Sequence, residues 1–216
     1  MVLFMGDKNI SRIITVLKKT YPGAYCSLTH QNPFQLLIAT ILSAQCTDQR
    51  VNLVTPQLFK KYPGPAQMGA APLADLKRLV RSTGFYKNKA LSLKEASAAI
   101  NAVFGGKVPR SMDELLTLRG VARKTANVVL GSAYGIAAGV VVDTHVKRLA
   151  FRLGLTAETD PGRIETDLMR LVRKTDWIWF AHALVLHGRA VCSARKPLCP
   201  QCPLKALCPR RGITAA

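Results

Sequence analysis

The chain has 216 residues, enough for one large domain or two small ones, and 49% of them are apolar, which supplies a core and excludes extended disorder. Lys and Arg number 31 against 12 Asp and Glu, a formal net charge of +19. Such an imbalance calls for a polyanionic partner such as nucleic acid, although a ribosomal or membrane-surface protein would share it.

Periodicity is helical rather than alternating along most of the chain. The apolar start Met1–Met5 is too short for a secretory signal and has no basic run before it, so a cytoplasmic, nucleoid-associated protein is expected. Asp7 or Asn9 can cap a first helix with Ile10, Ile13, Ile14 and Leu17 on its inner face. Asn32-Pro33 is an N-cap followed by proline at the first helical position. The helix it opens, PFQLLIATILSAQ, is apolar nearly all round and should be central. Thr47 and Asp48 can cap the next helix, with Val51, Val54 and Leu58 along one face. Pro56 falls inside that pattern and is expected to kink or shorten it. Pro72 starts a short helix through Arg81. Residues 82–89, STGFYKNK, read as a turn with exposed aromatics among cations. An amphipathic helix then runs to about Phe104 and stops at Gly105-Gly106. Ser111 and Glu114 make a capping box for a helix leading to Leu118. Beyond Asp143 come a helix ending at Gly154, one opening at Asp160-Pro161, and one from about Asp176 to Val191. The sequence presents no convincing strand, repeat or low-complexity tract.

Residues 118–143 carry the chemistry. A hairpin bearing Gly120 leads into Arg123 and Lys124, which open an apolar helix, and a loop ends at Asp143. Unpaired N–H groups make a helix start a positive pole, and Arg123 adds a fixed charge. Both disfavour a protonated Lys124, and an amine beside another cation is a recognised activated nucleophile. The same amides suit a phosphate. The plainer alternative is a surface Lys-Arg pair. Residues 125–142 are uncharged and approach the length of a membrane span. Gly131, Gly135 and Gly139, with Asn127, Ser132 and Tyr134, favour a buried helix and a tight connection, and no membrane association is expected.

Cys192, Cys199, Cys202 and Cys208 follow the spacing C-x6-C-x2-C-x5-C. Four thiols this close, in a cytosolic-type chain, read as a metal site rather than disulfides. Zinc and an iron–sulfur cluster are both open. Only one pair is as close as zinc sites usually require, which tilts the reading toward iron–sulfur. Pro197, Pro200, Pro203 and Pro209 force an irregular wrap, and Arg189, Arg195, Lys196, Lys205, Arg210 and Arg211 make the loop cationic. Cys26 and Cys46 are expected to be buried thiols.

These stretches resemble the endonuclease III family of DNA glycosylases. LRGVARKTANVVL is similar to that family's helix–hairpin–helix, LPGVGRKTA; VVDTHVKRL to its aspartate loop; LLIATILSAQCTDQRVN to its early helix and glutamine loop; HALVLHGRAVC and the four cysteines to its 4Fe–4S segment. The resemblance covers nearly the whole chain with the motifs in order. It implies an all-α, two-lobed helix–hairpin–helix DNA glycosylase fold. A six-helix domain would span 26–136, and an iron–sulfur cluster domain would combine 1–25 with 137–216, its cluster loop at 192–208, with DNA between the lobes. Lys124 matches the lysine that attacks C1′, and Asp143 the aspartate that assists deprotonation and stabilises charge on the sugar. Gln45 and Phe85 match residues that fill the gap left by an extruded base. Arg119, Gly120, Ala122 and Arg123 match the DNA-binding hairpin, often with a monovalent cation. Cys192, Cys199, Cys202 and Cys208 match the ligands of a 4Fe–4S cluster.

The implied protein is a monomer acting on double-stranded DNA with damaged bases or abasic sites. Its implied activity is removal of oxidised or ring-saturated pyrimidines, followed by strand cleavage through a lysine Schiff base. Alternatives are an adenine- or mismatch-specific glycosylase of the same superfamily, which lacks the lysine, and a non-catalytic iron–sulfur DNA-binding module. Two departures stand out. Arg119 replaces the hairpin proline and loses a pre-set φ. Ala122 replaces its second glycine and is expected to strain the turn.

Overall fold

A computed structural model describes residues 7–213, apart from the side chains of Asp7 and Lys8, and no strand occurs among them. The apolar start at Met1–Met5, and Asp7 as a capping side chain, lie outside this description. Asn9 lies within the first helix and so does not cap it.

The α-helices are α1 (Asp7–Thr20), α2 (Pro33–Ser43), α3 (Asp48–Lys61), α4 (Pro65–Ala70), α5 (Leu73–Leu79), α6 (Tyr86–Val103), α7 (Met112–Leu116), α8 (Arg123–Tyr134), α9 (Thr144–Arg152), α10 (Pro161–Leu171) and α11 (Trp177–Ala190). They divide between two compact units, one spanning Cys26–Ala138 and the other joining the residues before Cys26 to those from Gly139 onward.

The unit Cys26–Ala138 is built around α2. Asn32 caps that helix by accepting the Gln35 N–H at 2.9 Å, and Pro33 follows at a position that needs no N–H. Leu36, Leu37, Ile38, Ala39 and Leu42 are fully buried where α2 meets α3, α6 and α8. Each large side chain among them contributes on the order of 1.5–3 kcal/mol of transfer free energy. Thr47 caps α3 through the Arg50 N–H at 3.3 Å. Pro56 does not shorten α3, which runs on to Lys61. Pro56 is exposed, so water can reach the Asn52 carbonyl that loses its i+4 donor.

The structure adds α4, a short helix in a Pro-, Gly- and Ala-rich stretch too brief to show periodicity. It packs on α6, as does α5. Residues 82–89 are less of a turn than their composition implies. A 3-10 turn covers Arg81–Thr83 and α6 already begins at Tyr86, so Lys89 is a buried helical residue. Ser111 caps α7, its Oγ accepting the Glu114 N–H at 3.3 Å and donating to the Glu114 carboxylate at 2.7 Å. At the far end of α8 the Ile136 N–H bonds to Leu130 O at 2.9 Å around Gly135, whose φ is 66°. This Schellman-type stop ends the helix. No helix among the described residues is long and apolar enough to cross a membrane.

In the other unit α11 carries α9 and α1. Ile10, Ile13 and Leu17 are buried on the inner face of α1, with Ile14 at its margin. Asp160 caps α10 through the Arg163 N–H at 3.0 Å. Lys18 of α1 pairs with Asp176 at 2.7 Å, and the Trp179 indole N–H donates to Tyr21 O at 2.9 Å.

Candidate functional site

The hairpin is a tight turn. Leu118 O accepts the Val121 N–H at 3.1 Å, and Gly120, third of the four residues, has φ 81°. That is the type II pattern, which favours glycine at this place. Space demands it too, because a β carbon on Gly120 would lie 2.8 Å from Ser92 Cβ and 2.9 Å from Ser92 Oγ. Arg119, second in the turn, reaches Glu95 of α6 at 3.4 Å, both side chains about half exposed.

Ala122 corrects an expectation. Its φ of −97° and ψ of 169° are ordinary extended values at the N-cap of α8, so the missing second glycine causes no strain. Ala122 also offers no capping side chain. The first-turn amides of α8 therefore receive nothing from their own cap and suit an incoming anion. Arg123 and Lys124 are the first two residues of α8, and both are exposed. Within its unit the Lys124 ammonium makes no ion pair or side-chain hydrogen bond among the described residues.

Gln45 and Phe85 share a rare backbone. Both are non-glycine residues in the left-handed region, at φ 52° and 48°. Each such residue costs about 1–2 kcal/mol, and strain of this kind concentrates at functional positions. Phe85 is 65% exposed and so is not core packing. Gln45 is also exposed, and the C-cap of α2 is its neighbour Ala44. Lys89 joins the segments that carry both residues, through hydrogen bonds to Leu42 O and Thr83 O. Sequence patterning gave no sign of that link.

In the other unit Asp143 is the N-cap of α9, its Oδ1 accepting the Val146 N–H at 2.8 Å. The cap fixes the carboxylate's plane and leaves Oδ2 as its second acceptor. His145 stands 3.1 Å from Arg148 Nη2, and burial holds its imidazole pKa down against the opposing pull of Asp143. Arg148 continues to Gly188 O at 3.0 Å and Cys192 O at 3.0 Å. His145 thus belongs to a hydrogen-bonded brace between α9 and the start of the cysteine loop.

Cys192, Cys199, Cys202 and Cys208 are free thiols, each partly buried, and all four line one cavity with Leu149, Val191 and Leu204. Buried Arg152 organises the wrap by donating to Ser193 O at 2.7 Å, Ala194 O at 2.8 Å and Cys192 Sγ at 3.3 Å. The Tyr21 hydroxyl is 3.0 Å from His187 Nδ1, and His187 Nε2 is 3.4 Å from Cys202 Sγ. Burial pushes the His187 pKa down, which favours a neutral ring, and pushes the Cys202 and Cys208 thiols up. Among the described residues no group of three or more His, Cys, Asp or Glu side chains could hold a metal ion directly. Cys26 and Cys46 are only partly buried and pack against the core from its edge.

A glycine turn leading into an open helix start, set among helices, defines a helix–hairpin–helix protein. The sequence profile of the HhH-GPD superfamily of base excision DNA repair proteins matches residues 38–174. Endonuclease III of Synechocystis is 58% identical over 92% of this chain and 91% of its own, and that of Bacillus subtilis 46% identical over 93% and 92%. A solved structure described as a trapped endonuclease III–DNA covalent intermediate, an estranged-adenine complex, superposes with a TM-score of 0.90 at 42% identity over 95% of this chain and 97% of that one. The chain belongs to the endonuclease III family of that superfamily.

Proposed function

We propose that the protein is a base-excision DNA N-glycosylase with AP lyase activity, acting on oxidised or ring-saturated pyrimidines in duplex DNA. The observation that carries this reading is Lys124, exposed at the start of a helix whose first amides lack a capping side chain. A phosphate held by the Gly120 turn and those amides would bring a backbone sugar to the amine. The family relative caught as a covalent DNA intermediate supports the same chemistry.

Chemistry on a stacked base requires its extrusion, at a cost of a few kcal/mol. Phe85 enters the stack as an apolar wedge, and Gln45 hydrogen-bonds the orphaned partner base. Arg119 and Arg123 add charge along the backbone. The Lys124 amine attacks C1′ and the glycosidic C–N bond breaks, its electron pair leaving with the base. Asp143 takes part in removing the amine proton and balances positive charge on the sugar, its direction set by the α9 cap. Ring opening at O4′ gives the Schiff base. The C2′ proton, now acidic, is lost, and β-elimination expels the 3′ phosphate. Hydrolysis of the imine returns Lys124.

The four cysteines would hold a 4Fe–4S cluster. Its fit rests on four thiols around one partly apolar cavity. The C-x6-C-x2-C-x5-C spacing, with only one close pair, favours a multi-atom cluster over zinc. Burial disfavours thiolates at Cys202 and Cys208 unless a positive centre lies against them. Held by these four thiolates, the cluster would tie α11 to the loop that follows.

Borohydride trapping on duplexes containing an abasic site or thymine glycol tests the reading. A covalent adduct is expected with the parent protein and none with Lys124→Gln. Tight binding without an adduct in either protein would identify a non-catalytic DNA-binding module instead.

A further inference from the structure

Lys89 is 6% exposed in the first turn of α6, an unfavourable place for a cation, since it faces the positive end of the helix dipole and is cut off from water. Burial pulls its pKa below the usual lysine value. Two carbonyls compensate. The ammonium donates to Leu42 O at 2.8 Å and to Thr83 O at 2.6 Å.

Both acceptors are ends of helical segments. Leu42 O lies in the last turn of α2, and the amide that would ordinarily serve it, Cys46 N–H, bonds to Ser43 O at 3.1 Å. Thr83 O closes the 3-10 turn Arg81–Thr83. Leu42 precedes Gln45 by three residues and Thr83 precedes Phe85 by two. The Lys89 backbone N–H also donates to Phe85 O at 3.1 Å. One residue therefore ties together the two segments in which a non-glycine residue is held left-handed.

We propose that Lys89 is a positioning residue that clamps the Gln45 and Phe85 loops to each other, so that both side chains enter the duplex as one preformed unit. The proposal rests on Gln45 and Phe85 filling the vacated stack. Without the ammonium, two buried carbonyls lose their donor and each strained loop is free to relax separately. Preorganisation of this kind lowers the cost of forming the opened complex.

Stopped-flow fluorescence of 2-aminopurine placed opposite a tetrahydrofuran abasic analogue reads base estrangement directly. Rates are normalised to the fraction of enzyme trapped by borohydride on an abasic oligonucleotide without a complementary strand, where no stack has to open. Unfolded protein therefore cannot mimic the effect. Lys89→Met is expected to slow estrangement roughly tenfold, the worth of about one hydrogen bond to a charged group. Lys89→Arg, which keeps donors on a long stem, is expected to recover most of the rate. In a Gln45→Ala/Phe85→Ala background, Lys89→Met is expected to change the remaining rate by less than about twofold, because coupled residues are non-additive. Equal slowing in both backgrounds, or none in the parent, would overturn the clamp. If Gln45→Ala/Phe85→Ala alone were as fast as the parent, the two side chains would not be probes, and the clamp would lose its object.

Discussion

Replacing Gly120 by alanine tests the hairpin at its most constrained atom. The substitution places an L side chain at φ 81°, at a cost of about 1–2 kcal/mol. It also drives a β carbon to 2.8 Å from Ser92 Cβ, and Ser92 is buried on α6. Overpacking a fixed neighbour of this kind costs about 1–3 kcal/mol. Together these give a loss of roughly 2–5 kcal/mol, a large share of the 5–15 kcal/mol typical of a folded domain. Urea unfolding followed by far-ultraviolet circular dichroism measures it.

Ser92→Gly separates the two contributions. Alone it should cost about 0.5–1 kcal/mol as a glycine inside a helix. Combined with Gly120→Ala it removes the overlap and leaves the backbone cost, so the double variant should be more stable than the sum of the single changes. A Gly120→Ala protein within about 0.5 kcal/mol of the parent would refute the turn geometry, that being the range of an ordinary surface substitution. Strict additivity with Ser92→Gly would refute the overlap.

Two further expectations concern charge. Arg119→Ala removes one half-exposed pair with Glu95 and should change stability by less than about 1 kcal/mol. It should lower the slope of log affinity for duplex DNA against log salt by about 1, and an unchanged slope would put Arg119 away from the phosphates. Burial alone pushes the Asp176 carboxyl up, but Lys18 and Arg173 outweigh it and hold the carboxyl below the usual range. Its stabilising contribution is therefore complete above the unfolded value of about 3.9 and is lost as pH falls through the lower folded value. The stability gap between parent and Asp176→Asn should be steady above pH ~5 and close below pH ~4, and a gap that stayed constant into acid would refute the pairing.

Local rules carried most of the helices because each acts within a few residues. Asn32-Pro33, Thr47, Ser111 and Asp160 announce helix starts through the donors they satisfy, and Gly135 announces a stop. The Gly120 turn and the helix start at Arg123 were readable for the same reason. What stayed hidden depends on partners distant in sequence. Lys89, in a run of cations and aromatics, looks like a solvated turn residue until Leu42 O, 47 residues away, is brought against it. The left-handed backbones of Gln45 and Phe85 belong to residue types that rarely adopt it, so composition could not reveal them. Ala122 misled in the opposite direction. A glycine in the family pattern suggested a positive φ where the chain is extended.

Because α1 packs against α11, α1 leaves the ribosome long before the helix that covers it. Tyr21 finds its partners at His187 and Trp179, 166 and 158 residues further on. At a synthesis rate of about 5–20 residues per second, the apolar side of α1 stays uncovered for roughly ten to thirty seconds while the intervening domain folds. That helix is therefore a natural client for holding chaperones during translation, and maturation of this half of the molecule is paced by elongation.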